Sequence, residues 1–440
     1  MRIICKSAIV WLLAVVLLGA CHKENSGDLA ELLTTVPSGA GAVVTINLQE
    51  IISKAGGKVA DGKVQPGEKM APALEKAASQ PELYQFFDET AGVDASAAVA
   101  FYASGRWYLT GLLRDPDAFR AWWESKGQTF EASGELQAAR KVAYKANRFW
   151  WGLTDIDIPS VGDYASLSES RSWASRPNAG NLTSGDHEIA FVLDEKVLFS
   201  YAGGDMRSGQ LRMALSSAFK DASAFAGSVD LRDGRMTASI VPVNDDMKPA
   251  EILLPLGKVS GDVVKKLDCS ASKVWAVAVP GKLTEKVCSM ISGLGLVPGS
   301  VVEAIRPIDG TVAVAVDASD SGMKGIIETN GKTLSPLTDF LATVGIKSVV
   351  DGKKMEITKG DVIGKLPVAG YASDFQGAFV AGAVDLTETP GMETPGFKSS
   401  VDRMVLVVKP EGKGLKAETS FYSPDPKRNF LLTWLELGLK

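Results

Sequence analysis

Histidine is nearly missing from these 440 residues: only His22 and His187 occur. Metal centres and acid–base relays lean on imidazole, so a histidine-based site is not expected, and no metal site is read. Cysteine is scarce as well, with Cys5, Cys21, Cys269 and Cys288 making the full set. There is no basic excess: 47 Lys and Arg stand against 52 Asp and Glu, and no Lys/Arg block interrupts the body of the chain. That argues against a nucleic-acid partner. After the first twenty residues no stretch reaches spanning length without a charge, Gly or Pro. No complete catalytic constellation stands out, so no cofactor is expected and the protein reads as a non-enzyme.

What is present is ordinary globular material. An apolar fraction of 45% with 22% charged residues supplies a normal core. At roughly 100–200 residues per domain, the length predicts two or three domains.

The N-terminus is the most specific stretch. Arg2 and Lys6 form a basic n-region, and Ala8 to Leu18 an apolar h-region too short to span a membrane. Leu18-Gly19-Ala20-Cys21 then has the form of a bacterial lipobox: an aliphatic residue, two small residues, cysteine. Small residues fit a signal-peptidase cleft, and the Cys21 thiol accepts a diacylglycerol before becoming the new N-terminus. Several acyl chains give stable anchoring where one binds only marginally. His22, not aspartate, follows Cys21, which favours the outer membrane. The Lys23-Glu24 pair partly matches acidic surface-export signals, and Asn25 breaks the run, so the periplasmic and external faces both stay open.

Domain boundaries follow from pattern. Residues 1–20 are the signal peptide and 21–35 the lipidated Cys21 with a tether. Residues 36–204 form a first α+β domain, 205–272 a β-rich connection and 273–440 a second α+β domain. In the first, Ala42 to Asn47 is a β-branched strand, and Leu48 to Ala55 a helix stopped by Gly56-Gly57. Helical patterns follow near Glu68 to Ala78 and Pro81 to Ala91. A hairpin turns at Ser104-Gly105. Asp115 caps a helix with Pro116 at its first position and Gly127 as its stop. A second hairpin turns at Ala146-Asn147. The connection holds a hairpin at Asp233-Gly234 and a short helix from Gly261 to Leu267.

From Lys273 the layout returns. "VWAVAVPGKLTEKVCSM" repeats the strand–turn–helix of "AVVTINLQEIISKAG". Val401 to Tyr422 with Asp425-Pro426, Phe430 and Trp434 mirrors the first hairpin with Asp115-Pro116, Phe119 and Trp122. The expectation is an internally duplicated α+β protein, with antiparallel sheets and helices packed on one face.

The segment "TVPSGAGAVVTINLQEIISKAG" behind a lipobox resembles the opening of a family of uncharacterised envelope lipoproteins of Bacteroidota, a domain of unknown function. The resemblance rests on Val36-Pro37, Val43 to Leu48 and Lys54 to Gly56. It implies an envelope lipoprotein and carries no catalytic residues.

Several motifs dissolve on inspection. Asp317, Ser319, Ser321, Gly322 and Glu328 match EF-hand spacing, but two serines lower the ligand charge, Lys324 opposes a cation, and a strand precedes the loop. "GIIETNGKT" is one residue too long for a phosphate loop. Ser270 to Lys273 has S-x-x-K spacing without its companion motifs. His187 lies between Asp186 and Glu188 with no serine partner. Asp155 and Asp157 share one strand face and could act as an acid–base pair, though a strand end is the commoner reading. Cys269 and Cys288 would survive signal cleavage, and an oxidising compartment allows them a disulfide.

Tryptophan is the one enrichment that suggests a ligand. Trp107, Trp122, Trp123, Trp150 and Trp151 cluster with Tyr102, Tyr108, Tyr144 and Phe149. Adjacent residues on a strand face opposite sides, so one of Trp150 and Trp151 is expected to be partly exposed. A packed sheet–helix core is the favoured reading, since core tryptophan clusters are routine; the alternative is a face that stacks on glycan or anchors an envelope protein. The leading reading is a lipid-anchored binding or structural lipoprotein, followed by a glycan-binding lipoprotein and then a carboxylate-dependent hydrolase. Its partners would be the membrane through Cys21 and an unknown envelope protein or glycan.

Overall fold

A strand rich in β-branched residues, then a helix capped by Asn47, opens the first sheet as the pattern predicts. The computed structural model describes residues 26–68, 84–133, 135–153, 161–183, 187–201, 215–294, 298–388 and 400–430, with Met70, Ala71, Leu74, Glu75, Met213 and Leu432. Cys21, Asp155, Asp157, Asp186 and Trp434 lie outside them, as does much of the helical pattern near Glu68 to Ala91. The chain divides into two units. Unit 1 comprises Met1–Ser216, Asp221–Lys248 and Asp425–Lys440; unit 2 comprises Ser217–Lys220 and Pro249–Pro424.

The sheet of unit 1 holds β1 (Ala42–Ile46), β2 (Val93–Ala103), β3 (Arg106–Leu113), β4 (Glu131–Ser133), β5 (Leu136–Ala138), β6 (Val142–Lys145), β7 (Arg148–Gly152), β8 (Ile189–Asp194), β9 (Ala224–Arg232) and β10 (Arg235–Val243). Every pairing is antiparallel, in the order β10-β9-β8-β1-β2-β3-β7-β6-β5-β4. The β2–β3 turn places Ser104 at φ 51° and Gly105 at φ 80°, the two left-handed residues a tight hairpin needs.

Helices covering this sheet include α1 (Ser26–Leu33), α2 (Leu48–Lys54) and α3 (Pro116–Ser125). Asp115 caps α3 by accepting from the N–H groups of Asp117 and Ala118. Leu29, Leu32 and Leu33 of α1 join Phe101, Tyr108, Trp150 and Trp173 in one core, each leucine adding about 1.5–3 kcal/mol by burial. Phe119 of α3 packs against Phe149 at a tilt and meets Tyr144 edge to face, the neighbours of opposite parity. The α+β class with an antiparallel sheet stands, but the covering elements of unit 1 lie on both faces. Leu29, Leu32 and Leu33 of α1 belong to the core, so residues 26–33 are part of unit 1 and not of the segment expected at 21–35. The ion pair of Lys54 with buried Glu188, which also accepts from the Leu231 N–H at 2.9 Å, ties α2 to the strands.

Unit 2 holds β11 (Lys273–Val279), β12 (Ile308–Val316), β13 (Met323–Thr329), β14 (Lys347–Asp351), β15 (Lys354–Lys359), β16 (Val380–Asp385), β17 (Arg403–Glu411) and β18 (Gly414–Tyr422). Their antiparallel order is β18-β17-β16-β11-β12-β13-β15-β14. Its helices include α4 (Gly261–Lys265), α5 (Gly281–Leu294), α6 (Gly299–Ile305) and α7 (Ser335–Thr343), with one further turn at Ala372–Phe375. Strand alternation splits its core. Val274, Ala276, Ala313 and Ala381 pack on Val263 and Val264 of α4 and on Phe375. Ile327, Met355 and Ile357 pack on Leu337 and Leu341 of α7.

The two units share one plan: strand, helix, hairpin, Pro-led helix, hairpin, strand, hairpin, with the same strand order. Loop hydrogen bonds repeat it residue by residue. Asp194 N–H donates to the Gly41 carbonyl at 2.7 Å, and Asp385 N–H to that of Ser272 at 2.8 Å. Glu195 donates to Ser223 at 3.1 Å, and Leu386 to Asp402 at 2.8 Å; Ser223 and Asp402 each donate across to Val243 and Tyr422, both at 2.9 Å. Both first hairpins carry an irregularity early in their first strand, at Val93/Ala98 and Ile308/Val312.

This equivalence corrects the expected alignment. The counterpart of β2–β3 and its Asp115-Pro116 helix is β12–β13 with α7, whose Pro336 sits in its first turn. The hairpin β17–β18 answers β9–β10 instead, so residues 224–243 belong to the first sheet and are not a connection. Residues Asp425 to Arg428 turn back onto unit 1, where the Gly234 N–H donates to the Arg428 carbonyl at 2.8 Å.

Candidate functional site

The tryptophans come together, but as core. Relative exposure is 7% for Trp107 and Trp122, 3% for Trp123, 1% for Trp150 and 4% for Trp151. Alternation does turn Trp150 and Trp151 to opposite faces; both are buried because both faces of this sheet are covered. Trp122 and Trp123 meet edge to face at 5.3 Å. The Trp122 indole donates to Asp88 at 3.0 Å and that of Trp123 to Gln85 at 3.2 Å. Burial pushes the Asp88 carboxyl up, but hydrogen bonds from Thr90 and Trp122 outweigh it and hold it below the ordinary range. All five rings are buried, as the packed sheet–helix reading has it, and none offers an open face for the alternative glycan-stacking role.

The other sequence candidates separate. His187 Nδ1 lies 2.8 Å from Asp230 Oδ1, while Glu188 points to Lys54 and Leu231. The Asp317 loop satisfies itself: Asp317 accepts from the Ser321 N–H at 2.9 Å and from the Ser321 and Ser319 hydroxyls at 2.8 and 3.1 Å. Those bonds, Ser321's first, hold its carboxyl below the ordinary range. Glu328 faces away to the Thr311 N–H at 2.8 Å. Among the described residues no cluster of His, Cys, Asp and Glu could hold a metal ion. Cys269 and Cys288 are free thiols, each pushed up by burial, and Cys288 Sγ donates to the Val302 carbonyl at 3.7 Å.

A polar corner in unit 2 escapes sequence reading altogether. It forms where β11, β16, β17 and β18 end together. In unit 1 the matching backbone positions carry Gly41, Ala42, Ser223, Ala224 and Val243. Unit 2 puts Ser272, Lys273, Asp402, Arg403 and Tyr422 there. Asp385 is 4% exposed and accepts from the Thr387 N–H at 2.8 Å and the Thr387 hydroxyl at 2.5 Å. The Ser272 hydroxyl donates to Glu388 at 2.5 Å, and Lys365 sits 3.3 Å from the same carboxylate. Arg403 lies 4.2 Å over the Tyr422 ring and donates to the Tyr371 hydroxyl at 3.5 Å. Burial pushes the Asp402 carboxyl up; Arg403 pulls it down and Asp385 pushes it up again.

Asp402 Oδ1 and Arg403 Nε are buried without a hydrogen-bond partner among the described residues. Residues 389–399, which link Glu388 to this corner, lie outside the described residues. The signal for the site was available only through the repeat: polar residues in one copy where the other has small or apolar ones.

No protein-family model matches the chain, and no curated protein matches it. Among solved structures, crystal form I of TP0453 aligns over 81% of this chain and 100% of that one, at 11% identity and a TM-score of 0.29. Crystal form III of TP0453 aligns over 78% and 97%, at 10% identity and 0.27. Likeness of this size supports no argument about this chain. No helix among the described residues is long and apolar enough to cross a membrane.

Proposed function

We propose that this protein is a lipid-anchored lipoprotein of the cell envelope, attached to the outer membrane through Cys21, with a non-enzymatic binding or structural role. The observation that carries the reading is Leu18-Gly19-Ala20-Cys21 behind a basic n-region and a short apolar h-region. The resemblance of Val36 to Gly56 to Bacteroidota envelope lipoproteins supports it. The start of α1 at Ser26 gives the anchor a particular consequence. Four residues, His22 to Asn25, separate it from Cys21, so the five chain steps span at most about 18 Å when fully extended. An acylated Cys21 would therefore keep unit 1 against the bilayer surface.

Metabolic labelling with a palmitate analogue tests this directly. The wild-type protein should take up label and yield a mature N-terminus at Cys21, and Cys21→Ser should abolish both. An unlabelled wild type, or cleavage at another residue, would sink the proposal. Protease shaving of intact cells then separates the external face from the periplasmic one.

A further inference from the structure

One edge of the unit 2 sheet is bare where the same edge of unit 1 is covered. Ser348 pairs with Ile357 as Val142 pairs with Trp151, and β13 pairs with β15 as β3 pairs with β7. Val349 therefore stands where Ala143 stands, and Val350 where Tyr144 stands. In unit 1, β5 lies outside this edge, with Ala138 opposite Ala143 and Gln137 opposite Tyr144. The Ala139 N–H donates to the Val142 carbonyl at 2.7 Å. Ala143 and Tyr144 are also covered on their faces, Ala143 in the core with Trp150 and Tyr144 against the rings of Phe119 and Phe130. In unit 2, no strand among the described residues pairs with the outer side of β14. Val349 is 67% exposed and Val350 44%.

An uncovered edge carrying β-branched residues is a template for another strand, and β14 lacks the proline or bulge that commonly blunts one. Its sequence selects the occupant. Lys347-Ser348-Val349-Val350-Asp351 has a cation at one end and an anion at the other. Antiparallel pairing of two copies about Val349 sets each Lys347 opposite Asp351 of the second copy, twice over. A slip of two residues in either direction sets a charge against a valine instead. The backbone accepts the favoured register. The Val142 carbonyl points outward in unit 1, so its counterpart Ser348 and the alternate residue Val350 present outward groups. These become the hydrogen-bonded pair, and Val349 meets Val349 of the second copy as a close non-hydrogen-bonded pair.

We infer that β14 is a self-association edge, through which two copies of this chain join their unit 2 sheets. The inference is independent of the lipid anchor. Light scattering on the full chain in detergent, across a concentration series, should show a monomer–dimer equilibrium. Lys347→Asp and Asp351→Lys should each weaken it by about tenfold, the size of effect that removing two cross-strand charge pairs produces. The double variant should recover it. Val349→Cys should give a disulfide-linked dimer on oxidation, because cross-strand Cβ atoms in such a pair approach to about 4.5–5.5 Å. All three positions are exposed, and circular dichroism checks that each variant is folded. A wild type that stays monomeric throughout, a dimer indifferent to Lys347→Asp, or a charge swap that fails to restore it would overturn the inference. Capture of a different protein by Val349→Cys in cells would overturn it too, by assigning the edge to another occupant.

Discussion

Unit 1 covers both faces of its sheet, buries Trp150 and Trp151, and closes one edge with an added hairpin; unit 2, on the same strand order, leaves Trp275 39% exposed and β14 uncovered. Trp275 occupies the place of Val44, which is 3% exposed, on the central strand of its sheet. Its ring lies over Gly382, where even a methyl group would come within 2.2 Å. The difference teaches that this fold does not require aromatic bulk. Order of strands, matched register and a few backbone bonds recur in both units, whereas side-chain size, edge cover and charge are free to diverge. The polar corner around Asp402 and the bare edge at Val349 are both products of that divergence.

The largest test of the comparison is a pair of truncations. Trp150→Ala should cost about 3–5 kcal/mol of unit 1 stability by removing a fully buried ring. Trp275→Ala should cost under about 1 kcal/mol, as for a half-solvated side chain. Urea unfolding followed by circular dichroism reads both, and equal losses would break the contrast. A smaller effect separates the equivalent turn aspartates. Asp385→Ala removes two hydrogen bonds from a buried carboxylate and should cost about 1–2 kcal/mol. Asp194→Ala removes one, from the Lys196 N–H at 2.8 Å, and should cost roughly half that. If Asp194 proves the costlier, the corner of unit 2 is not the more tightly built of the two.

The smallest expected effect depends on pH. Burial raises the folded-state value of Asp402, so its ionised form opposes folding at neutral pH. Asp402→Asn should therefore raise the melting temperature there. The gain should shrink as pH falls through the folded-state value. It should vanish below about 3.9, the ordinary aspartate value, where the wild-type group is protonated in both states. Melting scans from neutral to acid pH check this, and a gain that grows toward acid would reverse the assigned sign.

Local features were legible because their causes are local. Asp115-Pro116 starts a helix through its own carboxylate and ring, Ser104-Gly105 turns a hairpin through its own φ angles, and the lipobox is four contiguous residues. Recurrence of the layout from Lys273 was also visible, since strand and helix periodicities repeat along the chain. Which hairpin answers which was not. β12–β13 and β17–β18 look alike locally, and only cross-strand partners far apart in sequence tell them apart.

Sequence by itself determined the turns, the capped helices, the α+β class and the lipidation motif expected at Cys21, all through short-range geometry or contiguous chemistry. Tertiary structure alone decided that both members of the Trp150-Trp151 pair are buried, because that depends on α1 and α3 arriving from opposite sides. It also decided that Ser272, Asp385, Asp402, Arg403 and Tyr422 converge, and that Val349 is left outside. Each of these is a matter of which distant segment lies next to which, and no local pattern carries that information.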